Sequence, residues 1–266
     1  MKLLVAIKQV AALDEDFEIT ADGRDVDPDF LVTDLNEWDD YSLEEAVKIK
    51  EAGGGDVEVV AVSVGPESVD EALRKCLAKG ADRAIRVWDD ALVGSDSIAI
   101  GRVLAAVAKK ENPDLLFAGT QSSDQSFAST GIATAAFLGW PHAAVVTKLD
   151  YNPAAKSALL RRELEGGTLQ EVEIQCPAVL TIQLGINVPR YASLRSIKQA
   201  AAKPIEVLAL AEVGVEPREV GEAGSLSRVR RMYVPEKGRA EMLPGNIAEQ
   251  SARLAAIIKE FKGVAP

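Results

Sequence analysis

Val57-Glu58-Val59-Val60-Ala61-Val62-Ser63, followed by Val64-Gly65-Pro66-Glu67 and then Ser68-Val69-Asp70-Glu71, is the stretch that decides the fold. A run of β-branched and small apolar residues reads as a buried strand, the glycine and proline as a turn, and Ser68 with Glu71 as a capping box opening a helix. The same succession recurs on either side. Strand-like runs stand at Leu3 to Ile7, Ala84 to Val87 and Leu115 to Ala118, each followed by a helical pattern. Ser42 with Glu45 repeats the capping-box spacing, and a third helix is expected from Ser97 to Lys110, stopped by Asn112-Pro113. Strict alternation of this kind predicts a parallel sheet with helices on both faces.

Further along, the pattern changes. Between Val145 and Leu184 strands are joined by turns, including a Gly166-Gly167 corner, so antiparallel strands are expected to extend the sheet. Ala178-Val179-Leu180-Thr181-Ile182 is short, apolar and β-branched, the pattern of a strand buried on both faces. After Pro204 the periodicity weakens, a basic patch appears at Arg228, Arg230 and Arg231, and an amphipathic helix is expected from Asn246 to Lys262. The expected fold is α/β: a Rossmann-like, doubly wound, mostly parallel sheet with added antiparallel strands and a C-terminal arm. The expected division is a nucleotide-binding domain over 1–204 and an arm over 205–266, too short and irregular to form its own core.

Composition narrows the function. With 30 basic against 41 acidic residues the net charge is −11, which disfavours nucleic acid and anionic membrane surfaces as partners. Cys76 and Cys176 have neither metal-ligand spacing nor the density of a disulfide scaffold, so no metal site is expected. The chain enters its first strand directly, with no long apolar segment, and the expectation is a cytoplasmic protein without membrane insertion. His142 is the only histidine and has no nucleophile or ligand companion in sequence, so it reads as structural. No acid-base pair, nucleophile or metal set stands out, and no catalytic residue is assigned.

A ligand in an open parallel sheet binds outside the carboxyl ends of the strands. Four loops qualify. Small Ala6 ends the first strand; Asn36-Glu37-Trp38-Asp39 leads into the next helix; Val64 and Gly65 end the strand quoted above. The fourth, Gly119 to Gly131, reads GTQSSDQSFASTG and is rich in hydroxyls before a helix reaching about Leu138. The amides and hydroxyls of Ser126, Ser129 and Thr130 fit a monophosphate without a lysine. No GxxxxGK[ST] or GxGxxG occurs at these turns, which weighs against a triphosphate and against a nucleotide-hydrolysing or adenylating enzyme. The same loop also fits a polar capped connection with no ligand.

Asn187 to Pro204, NVPRYASLRSIKQAAAKP, leaves the Ala178 to Ile182 strand in an extended form, because Pro189 pushes Val188 out of the helical region. Ser193 then caps a short helix with periodic positions Leu194, Ile197 and Ala201. On pattern alone this is an ordinary strand-to-helix corner with Leu194 turned into the core.

This segment resembles the signature of the electron transfer flavoprotein β subunits, as does Arg161-Arg162-Glu163-Leu164-Glu165-Gly166-Gly167 followed by Cys176-Pro177-Ala178-Val179. The resemblance runs from Lys2 to about Lys262 and is nearest to β subunits of methylotrophic bacteria. It implies a heterodimer in which an α subunit holds the redox-active FAD and β binds one AMP without turning it over. It carries the AMP site onto Ala6, Asn36, Glu37, Trp38, Asp39, Val64, Asp124, Gln125, Ser126, Phe127, Ala128, Ser129, Thr130, Gly131 and Thr134. Val64 stands where some relatives have cysteine, a contact made by backbone.

The resemblance also implies that Trp38 and Leu13 lie near the partner's flavin, although Trp38 equally fits a hydrophobic staple on its own helix. It implies that Glu163 pairs with an arginine of α, where an ordinary solvated charge is the alternative. It turns the Asn187 to Pro204 segment outward, as a recognition loop presenting Arg190, Tyr191 and Leu194 to a dehydrogenase. The implied partners are the α subunit, an acyl-CoA or trimethylamine/dimethylamine-type dehydrogenase, and the electron transfer flavoprotein-quinone oxidoreductase as acceptor. Bifurcating relatives place a second FAD where others hold AMP, the alternative within the family.

Overall fold

A computed structural model describes residues 1–13, 17–53, 56–235, 238 and 240–262, except the side chains of Leu13 and Lys262. Two compact units emerge, Met1–Arg230 and Arg231–Pro266. In the first, β1 (Lys2–Ala6) starts the sheet, and β2 (Gln9–Leu13) pairs antiparallel with β3 (Leu31–Leu35) as a separate ribbon. Then come α1 (Glu37–Ala52), β4 (Glu58–Val64), α2 (Asp70–Lys79), β5 (Arg83–Val87), α3 (Ser97–Glu111), β6 (Leu115–Gly119) and α4 (Thr130–Leu138). Next are β7 (His142–Asn152), β8 (Ser157–Glu163), β9 (Leu169–Gln175), β10 (Ala178–Ile182), α5 (Leu194–Ala202), β11 (Glu206–Leu208) and the single turn α6 (Gly221–Gly224). The second unit contains α7 (Ile247–Lys262).

Nine strands form the main sheet in the order β11-β5-β4-β1-β6-β10-β7-β8-β9. All pairs are parallel except β7 with β8 and β8 with β9, so the doubly wound, mostly parallel sheet and its antiparallel extension are both present. Side chains alternate across it as strand geometry requires. Leu3, Val5, Val59 and Ala61 pack under α1 and α2, whereas Leu4, Val60, Val62 and Leu116 pack under α3 and α4. Burying each Leu or Val of this kind contributes about 1.5–3 kcal/mol, so two filled faces explain why the central strands read as unbroken apolar runs.

Winding proceeds outward from β1 through β4 to β5, and α3 then returns the chain to β6 on the other side of β1. Strand order therefore reverses between β1 and β6, and their carboxyl ends diverge into a crevice. At the opposite ends of the strands, Arg83 pairs with Glu58, Glu111 and Glu206, while Lys2 joins Glu111 at 3.0 Å. The Arg83 hydrogen bonds hold the nearly buried Glu111 carboxyl below its ordinary range.

Several local expectations are corrected. Ser42 is no cap: α1 begins at Glu37 behind Asn36, and the buried Ser42 hydroxyl donates to the Trp38 carbonyl inside the helix. Ser68 lies in a single 3-10 turn, and Val69 occupies the N-cap of α2 without a side-chain bond. α3 is instead capped by Asp96, whose carboxylate accepts from the Ile98 and Ala99 amides, and it ends on the left-handed Asn112 before Pro113. Past Pro204, β11 joins the sheet beside β5, and Leu208, Leu210, Val215 and Val220 are buried in the first compact unit. α7 is capped as a box: Asn246 Oδ1 accepts from the Ala248 and Glu249 amides, and Glu249 accepts from the Asn246 amide.

Phe117 is fully buried on β6, and Leu159 on β8 is half exposed. Phe117→Ala is expected to cost about 3–5 kcal/mol in urea unfolding and Leu159→Ala less than about 1 kcal/mol. Equal losses would contradict this placement of the core.

Candidate functional site

Where β1, β4 and β6 end, the crevice opens into a cavity of about 290 Å³. Ala6, Ala118 and Gly119 form its floor, Val64 one side, Ile100 and Leu104 of α3 an apolar wall, and Ser95, Ser97, Ser122, Ser129 and Thr130 a polar rim. The small floor residues let a planar ring approach the backbone.

The buried Asp39, on the first turn of α1, bridges the parted strands. Its Oδ2 accepts from the Lys8 amide just beyond β1 at 2.7 Å, and its Oδ1 accepts from the Gly119 amide of β6 at 2.9 Å. A Cβ on Gly119 would collide with that carboxylate and lie 2.6 Å from the Trp38 Cβ, so only glycine allows the approach. Burial raises the Asp39 carboxyl to about 7, against the two amides, which pull it down.

Asn36, also buried, works beside it. Its Nδ2 donates to the Gln121 carbonyl and its Oδ1 accepts from the Ser123 amide, shaping the loop that follows β6. That loop then turns through two left-handed residues, Ser126 and Ala128, before entering α4. No side chain caps α4, although Ser129 stands at its N-cap; the Ser129 hydroxyl donates to Ser97 Oγ at 2.6 Å. The first amides of α4 are thus left for water or a ligand, with the helix dipole favouring negative charge. The N-terminus of α3 is already filled by Asp96. Burial acts to raise the Asp96 carboxyl, but amide donations from Ala99, Ser227 and Leu226 outweigh it and hold it below the ordinary range.

Of the expected nucleotide residues, the cavity gathers Ala6, Asn36, Asp39, Val64, Asp124, Gln125, Phe127, Ala128, Ser129 and Thr130. The others stand back from its lining. Glu37 is exposed, and Trp38 Nε1 donates to Gln183 Oε1. The Ser126 hydroxyl turns to the Ser122 carbonyl; Gly131 packs on Thr181, and Thr134 is buried and bonded to the Thr130 carbonyl. The sequence reading missed the Ser95, Asp96 and Ser97 loop, whose signal was an Asp-Ser pair just before the apolar run of α3. It also missed Lys8. Expected to lack a lysine, the rim holds Lys8 Nζ 2.7 Å from Asp124 Oδ1, so the cation is neutralised by the loop it touches.

The Asn187 to Pro204 segment is turned outward. Tyr191 is 98% and Leu194 81% exposed, with Val188 and Ile197 exposed beside them, and Ala200 is the buried residue of α5. The corner with Leu194 in the core is excluded; the Ser193 cap is present, accepting from the Ser196 amide. Arg190 does not share this exposure. Its guanidinium lies against α1, between Glu44 and Glu51. Glu163 ends β8 as an exposed carboxylate with no ion pair among the described residues, and His142 begins β7, exposed. Leu13 ends β2, and its side chain lies outside the description.

A family model, the electron transfer flavoprotein domain, matches residues 31–213. The chain belongs to the electron transfer flavoprotein family. It is 69% identical over 263 residues to the electron transfer flavoprotein subunit β of Methylophilus methylotrophus, covering 99% of this chain and all of that one. It is 38% identical over 216 residues to the subunit β of Bradyrhizobium diazoefficiens, covering 81% and 84% of the two chains. To the subunit β of Bos taurus it is 35% identical over 218 residues, covering 81% and 84%. As a β-type member of the electron transfer flavoprotein family, the chain is an electron carrier subunit rather than an enzyme. No described helix is long and apolar enough to cross a membrane.

The raised Asp39 carboxyl sets a pH dependence. An unfolded aspartate titrates near 3.8 and the folded one near 7, so the native state holds the proton more tightly. The stability this group contributes is complete below about pH 4 and is lost as the pH rises toward about 7. Asp39→Asn cannot titrate, so the stability of wild type minus that of the variant is expected to fall across this window and level above it, read by urea midpoints. A difference independent of pH would contradict the assignment.

Proposed function

We propose that this chain is the β subunit of a heterodimeric electron transfer flavoprotein working in the cytoplasm. It holds one AMP structurally in the β1/β6 crevice, supports the FAD domain of an α subunit, and presents its recognition loop to a primary dehydrogenase of the trimethylamine dehydrogenase type. Electrons pass onward to a quinone oxidoreductase of the respiratory chain. The observation that carries the reading is the cavity whose apolar floor ends at the uncapped N-terminus of α4.

The fit to AMP is chemical. An adenine would rest between Ala6, Val64 and the Ile100 and Leu104 wall, and a single phosphate would meet the α4 amides with the Ser129 and Thr130 hydroxyls. At about 290 Å³ the space lies at the small end of ligand pockets, which suits a nucleoside monophosphate. Lys8 is held by Asp124, and no metal-binding group of His, Cys, Asp and Glu is found among the described residues, so a polyphosphate would meet few free cations. The FAD, held mainly by α, supplies one-electron chemistry; this chain's residues position and shield.

Two exposed surfaces support the partners. On α7, Ile247, Leu254, Ile258 and Phe261 form an apolar face open to solvent, suited to an arm that packs on α. At α5, an open groove passes Leu194, Arg195, Lys198 and Ala202, with Tyr191 and Leu194 as candidate anchors for a dehydrogenase. Glu163, exposed and unpaired among the described residues, is available for an arginine of α. Trp38 and Leu13 are proposed to flank the flavin.

Nucleotides released from the chain purified with its α partner are expected to be one AMP and one FAD per heterodimer, identified by chromatography and mass. Two FAD without AMP would establish the bifurcating type, and neither nucleotide would overturn the site. Leu194→Ala is expected to slow electron acceptance from trimethylamine dehydrogenase by tenfold or more, about 1.4 kcal/mol of lost docking energy, with both nucleotides still bound. An undiminished rate would overturn the recognition loop.

A further inference from the structure

Arg190 turns back from the exposed segment toward α1. Its Nε and Nη2 donate to the two oxygens of Glu44, each at 2.9 Å, and its own amide reaches Glu44 Oε2 at 3.1 Å. Nη1 and Nη2 each donate to an oxygen of Glu51. All but one of the guanidinium N–H groups are therefore spent inside the chain, in the paired fork geometry that only arginine provides.

Glu44 is an unusual partner. It is a buried carboxylate on α1, 6% exposed, and a glutamate is rarely buried without a fixed counter-charge. Burial acts to raise its carboxyl, yet Arg190 outweighs burial and holds it below the ordinary range. One turn of chain earlier, Asn187 Nδ2 donates to the Tyr41 carbonyl and to Glu45 Oε2, and Glu45 is likewise buried at 5%. Two attachments to one helix thus bracket Val188 and Pro189, and the rigid proline lies between them. Beyond it Ala192 packs against the core, and Ala200 is buried with Arg74 donating to its carbonyl, while Tyr191 and Leu194 project into solvent; the bracket fixes how the chain enters α5.

We propose that Arg190 is a positioning residue: anchored on Glu44 and Glu51, it fixes the Asn187 to Ser193 segment so that Leu194 is pre-oriented for the dehydrogenase, and it does not itself touch that partner. The inference rests on the recognition-loop reading above. Preorganisation lowers the ordering cost of binding, so loss of the clamp weakens association and leaves the electron-transfer step alone.

The test uses the α/β heterodimer with trimethylamine dehydrogenase as the electron donor. Arg190→Gln and Glu44→Gln are each expected to raise the KM for the carrier fivefold or more at constant kcat, with AMP and FAD content unchanged. Arg190→Lys restores charge without the fork and is expected to recover only part of the loss. In the Leu194→Ala background, Arg190→Gln is expected to add less than twofold, because both changes remove the same docked leucine. Multiplying effects would mean that Arg190 contacts the dehydrogenase directly and would overturn the proposal. So would an unaltered KM in Arg190→Gln when Leu194→Ala is impaired. An unaltered rate in Leu194→Ala would instead remove the recognition-loop reading beneath it. Should the buried Glu44 variant not fold, Glu51→Gln on the exposed side of the clamp gives the same reading through a smaller rise in KM.

Discussion

The carboxylate of Asp39 joins two strand ends that the winding of the sheet drives apart. Between β1 and β6 the chain reverses direction of growth, and no ladder hydrogen bond can close the crevice at its carboxyl end. A buried acid accepting from both the Lys8 and Gly119 amides spans it, at the desolvation cost seen in its raised pKa. Gly119 has no side chain because this acid lies against it, Asn36 sits one turn away to fold the following loop, and α4 starts where that loop ends. The cavity is what remains once these groups have found partners.

The same helix governs the second surface. α1 begins at the crevice with Asn36 and Asp39, and one to two turns later offers Glu44, Glu45 and, at its end, Glu51 to the segment following β10. The crevice and the outward-turned segment are thereby referenced to one rigid rod. Such an arrangement fits an electron carrier subunit, and the proposed function gives it the task of holding two surfaces at a fixed distance.

Much of this was legible in the chain. Val57 to Ser63, Leu115 to Ala118 and Ala178 to Ile182 announced central strands because both faces of the sheet are covered, and that burial leaves no polar alternation to mistake. Helix starts were less legible: Ser42 and Ser68 have the right spacing for caps, but tertiary demands on Asn36 and Asp39 pull α1 forward, and the Pro66 turn winds into α2 without a cap. β11 was invisible because three residues carry no periodicity, and its place beside β5 comes from the Arg83 to Glu206 pair and from buried Leu208. At the site, loop composition located the Gly119 to Gly131 turn, whereas Lys8, Ser95 and Ser97 entered through three-dimensional neighbours. Arg190 illustrates the limit most plainly. In sequence it belongs with exposed Tyr191, and only the approach of α1 reveals that it faces the other way.

The central claim is that a nucleoside monophosphate occupies the crevice bridged by Asp39, with its phosphate on the N-terminus of α4. The most direct measurement is a crystal structure of the heterodimer with its native nucleotides retained. Adenine is expected against Ala6 and Val64 and phosphate oxygens within hydrogen-bonding distance of the Ser129 and Thr130 amides, with Asp96 still capping α3. A nucleotide bound elsewhere on the chain, or a phosphate that displaces Asp96 at α3, would contradict it.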